Sequence, residues 1–209
     1  MDAEIITIPL GFDQSYIIKG ERTIMIDGGA PKKIKAFING LEKNSIAPGS
    51  IQLIILTHGH WDHIGSVKDI KEMTGAKVAM HEREKNLLEN SLKPLPPGVT
   101  RWGNIFAGIM AAFMPLVYIP ATRVDIILDD NEFPLDQFGI AGKVISTPGH
   151  FSGSVSILLD TGEAFVGDSA MNAFPLRLTP GLPIFAEDMK KVKNSWNLLL
   201  DKGARQIYP

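Results

Sequence analysis

The sequence predicts an α/β fold with two sheets covered by helices. Three observations predict it. Short strand-like runs open the chain, a second series of such runs begins near residue 140, and amphipathic helical segments lie between and after them. A single covered sheet is the alternative that pattern alone leaves open. With 209 residues the chain can bury one substantial core. Nothing divides it, so residues 1–209 read as one domain with an apolar insert at about 92–120.

Ile5–Pro9, Tyr16–Lys19 and Thr23–Asp27 read as strands, with turns at Gly11 and Gly20-Glu21. Pro31 opens a helix, since the first turn needs no N–H there. Ile34, Phe37, Ile38 and Leu41 share one face of that helix, which ends near Asn44. Ser50–Thr57 is almost continuously apolar, as a buried strand should be. Ser66–Thr74 reads as a helix closed by Gly75, Lys77–Met80 as a strand and Glu82–Asn90 as a helix. Pro94, Pro96, Pro97 and Gly98 then break regular structure. Strand character returns at Val124–Leu128, Ile140–Thr147, Ser154–Leu159 and Ala164–Val166. Glu187–Leu200 has helical spacing, with Met189, Val192, Trp196 and Leu199 aligned, and Arg205–Tyr208 is a last short strand.

Composition narrows the function. A net charge of -2 offers no general attraction for nucleic acid. Cysteine is absent, which excludes disulfides and thiolate ligands and fits a cytoplasmic location. The acidic start Met1-Asp2-Ala3-Glu4 lacks the basic opening of a secretory signal. Ile105–Pro120 is apolar but shorter than a usual spanning helix and contains Pro115, so a membrane is not an expected partner.

The chemistry concentrates where the Ser50–Thr57 strand stops. His58-Gly59-His60-Trp61-Asp62-His63 packs three of the five histidines and a carboxylate into six positions. His58 and His60, two apart, point the same way on an extended segment and can grip one ion. If the chain turns at Trp61, Asp62 and His63 face a second ion. Imidazoles suit zinc or iron, and a carboxylate fits beside them. His150, in Thr147-Pro148-Gly149-His150, and Asp168, in Gly167-Asp168, also follow apolar strands. A carboxylate such as Asp168 can bridge two ions. Asp27 reads equally as a turn residue or as a group that orients a ligating histidine. His81 reads as an exposed residue at a helix start.

These residues resemble the metallo-β-lactamase-fold superfamily, whose signature His-x-His-x-Asp-His is matched by His58, His60, Asp62 and His63. The family's next histidine corresponds to His150 and its bridging aspartate to Asp168. The likeness runs from Gly11 to Pro209 and is specific for the superfamily rather than for a substrate. It implies a four-layer αβ/βα sandwich. It also implies two divalent metals, with zinc expected and iron or manganese as alternatives. His58, His60 and His150 would hold the first, and Asp62, His63 and Asp168 the second, with Asp168 bridging. Members of this type add a last histidine after a final strand, often as Tyr-Pro-x-His-Gly. Here the sequence stops at Ile207-Tyr208-Pro209; a continuation carrying that ligand is the expectation, and a second site that lacks one imidazole is the alternative.

The resemblance further implies a hydrolase of the glyoxalase II or lactonase kind. A metal-bound hydroxide would attack an ester-like carbonyl, thioester or lactone, and Asp62 would be the catalytic residue that orients the water and passes a proton. A phosphodiesterase or ribonuclease of the same fold, a mononuclear-iron persulfide dioxygenase, and a non-enzymatic metal-stabilised interaction protein are the alternatives. The expected partner is a small molecule with an apolar portion. The insert at 92–120 reads as a lid over the metals or as a surface for a homodimer, with Met110 and Met114 suited to irregular apolar groups.

Overall fold

The computed structural model describes residues 4–11, 13–172 and 181–209. The acidic opening Met1–Ala3 lies outside them. The first sheet contains β1 (Glu4–Pro9), β2 (Gln14–Lys19), β3 (Thr23–Ile26), β4 (Ile51–Ile55), β5 (Lys77–His81) and β6 (Ile126–Leu128), in that spatial order. The β1–β2 and β2–β3 pairs are antiparallel, and β3 to β6 run parallel. The second sheet contains β7 (Phe133–Pro134), β8 (Gly142–Ser146), β9 (Val155–Leu159), β10 (Glu163–Phe165) and β11 (Gln206–Tyr208), ordered β11-β10-β9-β8-β7. The helices are α1 (Ile34–Lys43), α2 (Trp61–Ile64), α3 (Val67–Thr74), α4 (Lys85–Glu89), α5 (Arg101–Phe113) and α6 (Met189–Asp201).

Three apolar layers separate these elements, which excludes a single covered sheet. Alternate residues of one strand feed different layers because side chains alternate across a sheet. Ile17, Met25 and Ile54 join Phe37, Leu41, Val67 and Ile70 of the helices. Their neighbours Ile18, Ile24, Leu53 and Ile55 meet Val144, Val155, Ile157 and Phe165 of the second sheet. On the far side, Ile145, Leu158 and Val166 pack against Leu199 of α6. The order helix, sheet, sheet, helix is the expected four-layer sandwich. Phe165 anchors its centre. Its ring stacks on Tyr208 with centroids 4.7 Å apart and tilts against Tyr16 at 5.0 Å. Truncating such a buried ring to alanine costs about 3–5 kcal/mol.

Local chemistry sets the element ends. Gly75 closes α3 with φ 73°, the left-handed conformation that glycine adopts without penalty. Asp188 caps α6, its carboxylate accepting from Lys190 N–H and Lys191 N–H. The helix expected from Glu82 begins later, at Lys85. The turn before it bends inward, where His81 and Glu84 are buried. His81 is therefore not the exposed helix-start residue that its acidic neighbours suggested. β5 continues through it, Arg83 N–H donates to its Nδ1, and its Nε2 lies 3.4 Å from Asp130 Oδ1.

The insert forms α5, capped by Thr100, whose Oγ1 accepts from Gly103 N–H. Phe106 stacks on Phe185, with centroids 5.8 Å apart, while Ile105, Ile109 and Phe113 stay exposed. Among the described residues no helix is long and apolar enough to cross a membrane.

Candidate dinuclear metal centre

The candidate residues gather at one edge because successive strands deliver them there. Asp27 follows β3, His58 and His60 follow β4, His150 follows β8, and Asp168 follows β10. Asp13 lies in the turn between β1 and β2. The chain does turn at Trp61. The single helical turn α2 carries Asp62 and His63 away from His58 and His60 and round to a second position.

The first group comprises His58, His60, His150 and Asp168, and donor atoms from all four lie within 4.8 Å of one another. His58 Nε2 and His150 Nε2 each lie 3.1 Å from His60 Nδ1. Asp168 Oδ2 is 3.8 Å from His58 Nε2, 3.4 Å from His60 Nδ1 and 3.6 Å from His150 Nε2. Metal bonds of about 2.0–2.1 Å place tetrahedral donors about 3.3–3.4 Å apart, and these separations straddle that edge.

Hydrogen-bond bookkeeping leads to the same conclusion. His150 Nδ1–H donates to the Phe185 carbonyl at 2.7 Å, leaving a bare lone pair on Nε2. Thr57 Oγ1–H donates to Asp27 Oδ2 at 2.7 Å, so Thr57 Oγ1 accepts from His58 Nδ1–H at 3.1 Å and His58 Nε2 is also bare. His60 can supply one proton at Nδ1, too few for two acceptors and a carboxylate. Its Nε2 is buried without a partner among the described residues, where the N–H of a ring that ligates through Nδ1 would sit. A cation satisfies every convergent atom at once.

The second group is Asp13, Asp62 and His63. His63 Nδ1–H donates to Asp27 Oδ2 at 2.8 Å, which turns a bare Nε2 toward Asp168 Oδ1 at 3.3 Å and Asp13 Oδ2 at 3.7 Å. Asp13 Oδ2 and Asp62 Oδ1 are buried without hydrogen-bond partners among the described residues. Lone pairs facing carboxylate oxygens repel unless a proton or a cation lies between them. Asp168 thus presents one oxygen to each group. Asp27 resolves as the orienting residue rather than a plain turn. Its carboxylate also accepts from Thr57 N–H at 2.8 Å, and its φ of 58° places it in the left-handed region that few side chains adopt.

The titration behaviour fits cation binding. Burial lowers the His58 pKa, helped by His63 and His150, and burial with His60 takes His150 down to about 3. Both rings therefore stay neutral, as ligation requires. Burial and neighbouring Asp13 push Asp62 up to about 8, and burial raises Asp13 too. Burial disfavours a charged His63, yet Asp13, Asp27 and Asp168 outweigh it and raise its pKa well above the usual range. Burial also opposes ionisation of Asp168, but His63 and His60 hold it well below the usual carboxylate range. A site that gathers carboxylates and draws a proton onto His63 is one that favours positive charge.

All six residues expected from the sequence converge. Asp13 is the member that sequence reasoning missed. Its setting, Gly11-Phe12-Asp13-Gln14, reads as an ordinary hairpin turn, and only the fold carries it to His63. A cleft of about 350 Å³ opens beside the second group, lined by Asp13, Asp168, Tyr16, Met171 and Tyr208 among others. Helix α5 contributes no lining residue to this cleft.

The chain is similar to known proteins in sequence and in fold. The chain is 30% identical over 155 residues to the probable metallo-hydrolase YflN of Bacillus subtilis, covering 71% of this chain and 55% of YflN. It thus spans about half the length of that relative. It is 28% identical over 201 residues to the probable metallo-hydrolase MJ0888 of Methanocaldococcus jannaschii, covering 93% of this chain and 85% of MJ0888. Among solved structures, the subclass B3 metallo-beta-lactamase BJP-1 of Bradyrhizobium japonicum shares the fold, with a TM-score of 0.65 at 23% identity over 94% of this chain and 70% of that one. The profile of the metallo-beta-lactamase superfamily matches residues 9–209, and the chain belongs to that superfamily.

Proposed function

We propose that the protein is a metal-dependent hydrolase that attacks an ester-like carbonyl, a thioester or a lactone. The observation that carries this reading is Asp168, whose two oxygens face two separate donor groups. His58, His60 and His150 would hold one cation. Asp62, His63 and the newly found Asp13 would hold the other, with Asp168 shared between them. Three imidazoles favour zinc in the first position, and iron or manganese suits the more oxygen-rich second. When bound, two such cations supply Lewis acidity and a water activated near neutral pH.

The chain's own residues do the rest. Asp27 fixes the His63 ring through Nδ1, so Nε2 keeps the orientation that ligation requires. Asp62, whose Oδ1 is buried and has no partner among the described residues, would orient the attacking water and carry a proton to the leaving group. The adjoining cleft offers Met171 and the rings of Tyr16 and Tyr208 to the apolar part of a small substrate, beside the carboxylates that hold the metals.

The test is a panel of thioesters, lactones and phosphodiesters given to metal-loaded protein. Carbonyl substrates should turn over, the activity should disappear on chelation, and zinc should restore it. Turnover confined to phosphodiesters would overturn the carbonyl assignment. A protein that binds two metals and turns over nothing would instead be a metal-stabilised scaffold.

A further inference from the structure

Glu84 is a buried carboxylate with no role in the ligand set, only 2% exposed, in the turn before α4. Its two oxygens reach different halves of the molecule. Oε2 accepts from the Gly59 N–H at 2.5 Å, between His58 and His60. Oε1 accepts from the Gly153 N–H at 2.9 Å, in the turn that follows His150. Both donors are glycines, and both have their side-chain space filled by this turn or by α4. A Cβ on Gly59 would meet Leu87 Cδ1 at 2.4 Å and Glu84 Oε2 at 3.1 Å, and one on Gly153 would meet Glu84 Cγ at 2.9 Å.

We propose that Glu84 is a positioning residue that latches the His58-Gly59-His60 segment to the His150–Gly153 turn and so sets the spacing of the three imidazoles. The latch rests on the reading of those imidazoles as ligands of one cation. His58 and His60 come from the first sheet and His150 from the second, so the 3.1 Å approach of His150 to His60 depends on how the two halves meet. One carboxylate accepting two backbone N–H groups fixes that meeting without entering the ligand sphere. An amide cannot replace it. Glutamine offers one acceptor oxygen and turns an NH₂ toward the other N–H, so one side of the latch opens.

The experiment is cobalt(II) binding to the full chain, read as the visible ligand-field spectrum and as affinity in competition with a chelator. Glu84→Gln should weaken binding at the histidine group by 10–100-fold, in the range typical of lost ligand-orienting contacts, and alter the spectrum. Leu88→Ala is the control. That side chain lies in α4, just after Glu84, fully buried in the core layer, and its loss should lower the thermal midpoint while leaving spectrum and affinity unchanged. If Glu84→Gln fails to fold, Gly153→Ala decides, because its methyl displaces the carboxylate while Glu84 remains; it should reproduce the altered spectrum. Wild-type spectrum and affinity in Glu84→Gln, or in Gly153→Ala when that variant decides, would overturn the latch. Wild-type protein that binds no cobalt would overturn the metal-site reading, and the latch with it.

Discussion

Replacing Asp27 by asparagine isolates the orienting bond to His63. Asparagine tolerates the left-handed backbone about as well as aspartate, so the φ of 58° adds little cost of its own. The amide oxygen can keep the Thr57 N–H bond that Oδ1 now accepts. The amide nitrogen then replaces Oδ2, which accepts from Thr57 Oγ1–H at 2.7 Å and His63 Nδ1–H at 2.8 Å. The Thr57 hydroxyl can rotate and accept from the new amide. His63 has no such remedy, because its Nδ1–H now faces N–H. The ring must move or carry its proton on Nε2, the atom the second cation needs. A charge-assisted hydrogen bond is worth about 1.5–3 kcal/mol, which corresponds to roughly 10–100-fold in affinity for the second cation. Stability should fall by about 2–3 kcal/mol. Chelator competition measures the first effect, urea unfolding the second, and nitrogen-15 spectra of the imidazoles report the tautomer. Unchanged second-site affinity with His63 still protonated at Nδ1 would show that Asp27 does not orient the ring.

Asp13→Asn should lower affinity for the second cation by about tenfold or more while sparing the first, as seen in a metal titration of the variant; two equal wild-type affinities would remove Asp13 from the site. Glu84 supplies a pH prediction for the metal-free protein. Burial lifts its pKa from an ordinary 4.5 to about 8, against the pull of the two backbone N–H donors. The folded pKa is the raised one, so its contribution to stability is full below about 4.5, declines as pH rises to about 8, and is flat beyond. Unfolding midpoints of wild type against Glu84→Gln across that window should show the slope in wild type alone.

Much of the centre was legible because it is local or follows strands. His58, His60, Asp62 and His63 lie within six positions, and a buried apolar strand before them fixed their place in the fold. His150 and Asp168 were found by the same logic at the ends of β8 and β10. Asp13 was not, because a lone aspartate in a glycine turn carries no periodic or spacing signal. Glu84 was hidden for a different reason. The alternation His81-Glu82-Arg83-Glu84 has the composition of a solvated helix start, and tertiary packing overrides it by burying two of the four side chains. The order of strands and helices suggested two sheets but left one covered sheet open, and what excludes the latter is that Ile17 and Ile18 enter different layers.

The most direct measurement is a crystal structure of metal-loaded protein with anomalous scattering collected at the metal edge. Two peaks are expected, one ringed by His58, His60 and His150 and one by Asp13, Asp62 and His63, with Asp168 touching both. A density map with no metal at the three imidazoles, or with Asp168 turned away from both groups, would contradict it.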